Sequence, residues 1–110
     1  MSDERVDAVF AALSDPTRRA VLRAVAQTGQ ITATQLSGQF TVSRQAVAKH
    51  LGALSDAGLV SATRQGRETF YALTPAPLTD ALDWITGVGA DWDDRLKSLR
   101  TYLGKSRRSR

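Results

Sequence analysis

Apolar residues recur with helical spacing from the start of the chain. Val6, Val9, Phe10 and Leu13 stand at i, i+3, i+4 and i+7, which predicts an amphipathic first helix. "SDPTRRAVLRAVAQTG" sets the bounds of a second: Asp15 suits the cap, Pro16 the first helical position, and Gly29 follows the last turn. "ITATQLSGQF" reads as a short third helix in which Thr32 and Gln35 have capping-box spacing. A tight turn, "TVS", leads into a fourth helix with Ser43 as its cap and Gly58 as its stop.

The period then changes from helical to alternating. "LVSATRQGRETFYAL" holds two short extended runs around "RQGRE", with Gly66 at the turn, and predicts a β-hairpin. Pro75 and Pro77 close it and open a last helix. There Leu78, Leu82, Ile85, Gly89, Trp92, Leu96, Leu99 and Leu103 follow one another at intervals of 4, 3, 4, 3, 4, 3 and 4. Such alternation is the seam of a paired helix, so this stripe is read as a self-association surface, with packing on its own domain as the alternative. Gly89 either lets two backbones approach closely or, with Gly87, kinks the helix.

The expected architecture is mainly α with a small β-hairpin, in the order α-α-α-α-β-β-α. A short helix joined by a tight turn to a helix with a polar outer face, then a hairpin, is a winged helix-turn-helix. One domain spans residues 1–103, with a recognition helix over about 43–57, a wing over about 59–74 and a dimerisation helix over about 76–103. Residues 104–110, "GKSRRSR", are expected to be a basic flexible tail.

Charge sharpens this picture. The 110 residues carry a net +4, unevenly spread. Residues 1–15 balance to −3 and residues 75–103 to −2, whereas residues 16–74 hold seven basic and two acidic side chains, a balance of +5. A polyanion is therefore drawn to the centre of the chain. On a helical wheel of the fourth helix, Leu51 and Leu54 fall beside Val47, while Gln45, Lys49, Gly52 and Asp56 point the opposite way. Its first turns thus offer Ser43, Arg44, Gln45 and Lys49 outward. Arg and Lys can bond guanine and Gln can bond adenine in the major groove, and Ala48 is small enough to meet a thymine methyl. Arg64, Gln65 and Arg67 at the hairpin tip suit phosphates or the minor groove, with Glu68 beside them as an opposing charge.

"LSDPTRRAVLRAV", "VSRQAVAKHLGALSDAGLV" and "RQGRETFYAL" together resemble the ArsR/SmtB family of bacterial winged helix-turn-helix repressors, over roughly residues 5–75. The resemblance implies a homodimer built on the first and last helices, which puts Val6, Val9 and Phe10 in the interface with the last-helix stripe, and bound to a palindromic DNA operator. It also implies DNA-contacting positions at Ser43, Arg44, Gln45, Ala48, Lys49 and His50, with Ala48 standing where many members carry serine. The run of Trp84, Trp92, Arg95, Leu96, Leu99, Tyr102 and Leu103 resembles a branch of the family without metal ligands.

Other chemistries find little support. No cysteine is present, which removes disulfides, thiolate metal sites and cysteine nucleophiles. His50 is the sole histidine, and the last helix has carboxylates but no histidine, so neither a metal nor a cofactor is expected. No nucleophile–base pair is in view, so the chain is not read as an enzyme. The N-terminus lacks the layout of a secretory signal and no apolar run reaches the roughly 20 residues of a membrane span, which makes a cytoplasmic protein the expectation. Two other classes remain: a winged-helix module for protein association, and a nonspecific architectural DNA binder gripping through its tail. Whether a small molecule controls binding is left open, with Trp84 and Trp92 as possible pocket walls.

Overall fold

Short-range chemistry decides where the helices begin and end. The computed structural model describes residues 3–108. Helix α1 (Asp3–Ala12) is followed by α2 (Pro16–Thr28), whose first free N–H groups are met by the Asp15 carboxylate: Oδ1 accepts from Thr17 at 2.8 Å and from Arg18 at 3.1 Å. Gly29, at φ 93°, closes α2 with its N–H bonded to the Val25 carbonyl. Helix α4 (Arg44–Asp56) starts on Ser43, whose hydroxyl accepts from the Ala46 N–H at 3.1 Å. It stops in a Schellman motif. Gly58, at φ 78°, donates to the Ser55 carbonyl, and the Leu59 N–H reaches back to the Leu54 carbonyl, both at 2.9 Å. Leu54 and Leu59 are both fully buried, the apolar contact that accompanies this cap.

The region read as a third helix beginning at Ile31 is divided differently. Ile31–Thr32 form a two-residue strand, β1, and only Ala33–Ser37 form helix α3. The reason lies in the capping box. Thr32 accepts from the Gln35 N–H while the Gln35 side chain accepts from the Thr32 N–H, so Thr32 is held outside the helix in extended conformation (φ −87°, ψ 160°). Extended backbone there can pair. Strands β2 (Val60–Gln65) and β3 (Glu68–Leu73) form the expected hairpin, and β1 adds to its other edge with Ile31 opposite Tyr71 and Thr32 opposite Phe70. The sheet is thus a three-stranded antiparallel one, ordered β1-β3-β2, rather than a hairpin alone. Thr32→Ala should lower stability by about 1 kcal/mol, read as a reduced midpoint in urea without a change in slope.

The core gathers Val9, Val21, Val25, Leu36, Val47, Leu51, Leu54 and Leu59, all at or near zero exposure, with Ile31, Val60 and Ala81 at its edge. This corrects part of the interface assignment. Val9 is completely buried within its own chain, Val6 is nearly so, and Leu78 packs against the core, so their apolar surface serves the monomer. A stripe at helical spacing does not distinguish the two uses.

Helix α5 (Ala76–Arg108) packs on α1 through its first turns, and Ala81 is its last buried residue among those described. Beyond that it runs on, continuous through Gly87 and Gly89, for a total of about 50 Å at 1.5 Å per residue. The helix boundary drawn at Leu103 falls five residues short, because residues 104–108, assigned to a flexible tail, are helical. Ser109 and Arg110 lie outside the described residues. Along this projecting stretch Leu82, Ile85, Trp92, Leu99 and Leu103 are exposed, as Phe10 is on α1, while Leu96 is half-buried. Despite its length α5 is not apolar enough to cross a membrane, and neither is any other described helix.

Candidate nucleic-acid interface

Helix α4 has two unlike faces. Val47, Leu51 and Leu54 are wholly buried, fixing the helix against α2 and α3, whereas Ser43, Arg44, Gln45, Ala48 and Lys49 are exposed. Burial on one side orients the polar side outward, so three long hydrogen-bonding side chains leave the first two turns into solvent.

The wing is tight. Gln65 and Glu68 are paired, leaving Gly66 and Arg67 as a two-residue turn with positive φ only at Gly66 (63°), the pattern of a type II′ turn. Arg64 Nε donates to the Gly66 carbonyl at 3.2 Å, folding that side chain over the turn, while Gln65 and Arg67 are exposed. Arg64 is therefore partly committed to the wing itself. Arg67 has no such tie among the described residues.

A groove of about 440 Å³ separates the wing from the start of α4. Arg44 and Ala48 line it from one side and Arg67, Glu68 and Thr69 from the other, with Thr34 and Gln35 at its end. The structure thus brings two of the expected α4 positions together with one wing arginine. Gln45 and Lys49 are exposed but do not line the groove. Thr34, Gln35, Glu68 and Thr69 were not among the expected contacts. The capping box at Thr32 was the available signal for Thr34 and Gln35, since it sets the start of α3 at this surface.

His50 stands apart from the other α4 positions. It is half-buried, and its Nδ1 is buried with no hydrogen-bond partner. It lies close enough to Asp15 to help hold that carboxylate ionised. Asp15 is pulled below the ordinary 3.8 of an aspartate chiefly by the Arg18 N–H, against an opposing desolvation, and with help from the Thr17 N–H and the charges of His50 and Arg18. A depressed folded value means that this carboxylate stabilises the fold fully above its ordinary range, and that the contribution is lost as pH falls through the lower folded value. Asp15→Asn retains an oxygen that can cap but cannot ionise. Its stability deficit at neutral pH should shrink towards nothing as urea denaturation is repeated at pH values well below 3.8.

The surroundings of α4 match known DNA-binding folds. A family model described as a helix-turn-helix domain matches residues 13–61. The transcriptional repressor SdpR of Bacillus subtilis (strain 168) is 35% identical over 77 residues, covering 70% of this chain and 84% of that protein. The structure of an ArsR-like transcriptional regulator from Rhodococcus sp. RHA1 superposes with a TM-score of 0.77 at 39% identity, covering 89% of this chain and 92% of that one. The chain belongs to the ArsR family. It is accordingly a winged helix-turn-helix transcriptional regulator and not an enzyme. Another ArsR-like structure, the homodimeric winged helix-turn-helix DNA-binding domain Mb0332 from Mycobacterium bovis, superposes with a TM-score of 0.63 at 26% identity, covering 83% of this chain and 88% of that one. Among the described residues of this ArsR-family chain, no three His, Cys, Asp or Glu side chains cluster where they could share a metal ion.

Proposed function

We propose that this ArsR-family protein is a homodimeric, sequence-specific repressor that reads a palindromic operator in the cytoplasm. Helix α4 enters the major groove, and the wing tip rests on the backbone or in the adjacent minor groove. The observation that carries the reading is the groove in which Arg44 and Ala48 of α4 face Arg67 of the wing. One helix and one turn converge on a single surface, with cations on both sides of the groove. Arg44, Gln45 and Lys49 supply base-edge donors, and Arg67, Arg64 and Gln65 supply backbone contacts. His50, held behind that face, supports α4 rather than reading bases.

The dimer is supported by what α5 leaves uncovered. Gly87 and Gly89 each cost a helix interior about 1 kcal/mol relative to alanine. Yet a Cβ added at either would meet nothing within 4 Å in its own chain. Nothing within one copy requires these glycines. The seam spacing of 4, 3, 4, 3, 4, 3, 4 reads the same in both directions. Two copies of α5 running antiparallel therefore match along the projecting stretch: Leu82 meets Leu99, Ile85 meets Leu96, and Gly89 meets Trp92, while Leu78 packs within its own chain. The largest seam residue faces the smallest, twice per dimer. Trp84 is not on this seam; it packs edge-on against Phe10 of its own α1, with ring centroids 5.5 Å apart.

Selection of bound sequences from a random DNA pool tests the reading. A palindrome whose half-sites lie about one helical turn apart, roughly 10 base pairs, is expected. A pool that enriches no motif rejects sequence-specific reading. Glu68 is the one acid in the groove. Glu68→Gln should strengthen binding about two- to tenfold at low salt, and similarly for operator and unrelated DNA, as measured by fluorescence anisotropy.

A further inference from the structure

The exposed side of α2 borders a second concavity, remote from the groove between α4 and the wing. It is a basin of about 590 Å³ walled by four parts of the chain: Leu13 after α1, α2, Leu73 at the end of β3, and Leu78 at the start of α5. Leu13, Leu22, Leu73 and Leu78 supply its apolar floor, and Ala20 and Ala26 leave room beside it. Arg19 and Arg23, four residues apart on one face of α2, are the only charged side chains in the lining. Arg19 donates to the Leu13 carbonyl at 2.6 Å, which holds its guanidinium at the edge of the basin. Arg23 has no ion pair among the described residues, where the single pair is Arg5 with Asp80.

We propose that this basin binds a small amphipathic anion, a carboxylate whose aliphatic body lies on the leucines and whose charge meets Arg23 and Arg19. Its volume falls in the range of single small-molecule sites, about 300–1,000 Å³. Two guanidiniums beside an apolar floor, with no acidic residue in the lining, select an anion that also has hydrophobic surface to bury. A neutral apolar molecule would leave the arginines unanswered, and a bare inorganic anion would leave the floor wet. A ligand here touches the wing's return strand through Leu73 and the first turn of α5 through Leu78.

The probes are octanoate and octanol, titrated into the full chain and followed by leucine methyl NMR. Octanoate should shift the methyls of Leu13, Leu22, Leu73 and Leu78 saturably, and octanol should bind at least tenfold more weakly. Arg23→Gln should weaken octanoate at least tenfold and leave octanol unchanged. Ala20→Phe and Ala26→Phe, both at exposed lining positions, should abolish binding of both probes while circular dichroism shows an intact fold. Equal affinity for the two probes, or octanoate shifts confined to other residues, overturns the proposal. So does a changed dimer dissociation constant in Ala20→Phe and Ala26→Phe, since a second copy would then be what fills the basin. Because no DNA is present, failure of operator reading does not affect the outcome.

Discussion

Trp92→Gly should dissociate the dimer by roughly a hundred- to several-thousand-fold in sedimentation equilibrium, and adding Gly89→Trp should restore most of the loss. The first effect follows from burial. Trp92 is 58% exposed in one copy, so dimerisation adds about half of the roughly 3–5 kcal/mol that a fully packed indole contributes, at each of two sites, about 3–5 kcal/mol in all. The second effect is specific to the antiparallel register. In the proposed register Gly89 of one copy faces Trp92 of the other, so the double variant exchanges the members of each pair and keeps its composition. Gly89→Trp alone places two indoles against each other and should also weaken the dimer. If the double variant is as dissociated as the two single losses combined, the register is wrong. If Gly89→Trp alone leaves the dimer intact, residue 89 does not face a partner at all.

The second large effect concerns how bases are read. Arg44→Ala and Gln45→Ala should each remove about 1–3 kcal/mol of discrimination between the selected operator and single-base variants of it. Binding to unrelated DNA should change much less. Arg67→Ala should behave in the opposite way. It should weaken operator and unrelated DNA alike and lower the slope of log affinity against log salt by about one, the signature of one lost phosphate contact. Arg64→Ala should have a smaller effect than Arg67→Ala, because Arg64 is already bonded to the Gly66 carbonyl. Unchanged base preference in both α4 variants would remove base reading from Arg44 and Gln45.

Much of this arrangement is readable from the chain alone, and the readable parts share a cause. Asp15, the Thr32–Gln35 pair, Ser43 and Gly58 act on backbone groups within a few residues of themselves, so their chemistry is written locally. The opposed faces of α4 follow from a single period. What escapes notice depends on distant neighbours. Strand β1 has two residues, too few to show alternation, and its partners Phe70 and Tyr71 lie some forty positions away. Val9 belongs to the same helical stripe as Phe10, yet one is sealed in the core and the other is exposed, a difference made by where α5 crosses α1. Thr34, Glu68 and Thr69 join Arg44 only because the sheet swings the wing beside α3. The apolar seam of the last helix ends at Leu103, and with it the pattern that marks the helix. The residues that follow, "GKSRR", carry no apolar period from which a continuing helix could be read.

Thr32 occupies two roles at once: it pairs with Phe70 in the sheet and caps the first helix of the helix-turn-helix. The wing is consequently joined to the reading head by main-chain bonds, not only by side-chain packing. The angle between them is a property of the scaffold. Under the proposed reading, substitutions at Arg44 or Gln45 should change base preference, and those at Arg67 or Glu68 overall affinity, without re-aiming either arm, so specificity and strength should be separately adjustable one side chain at a time.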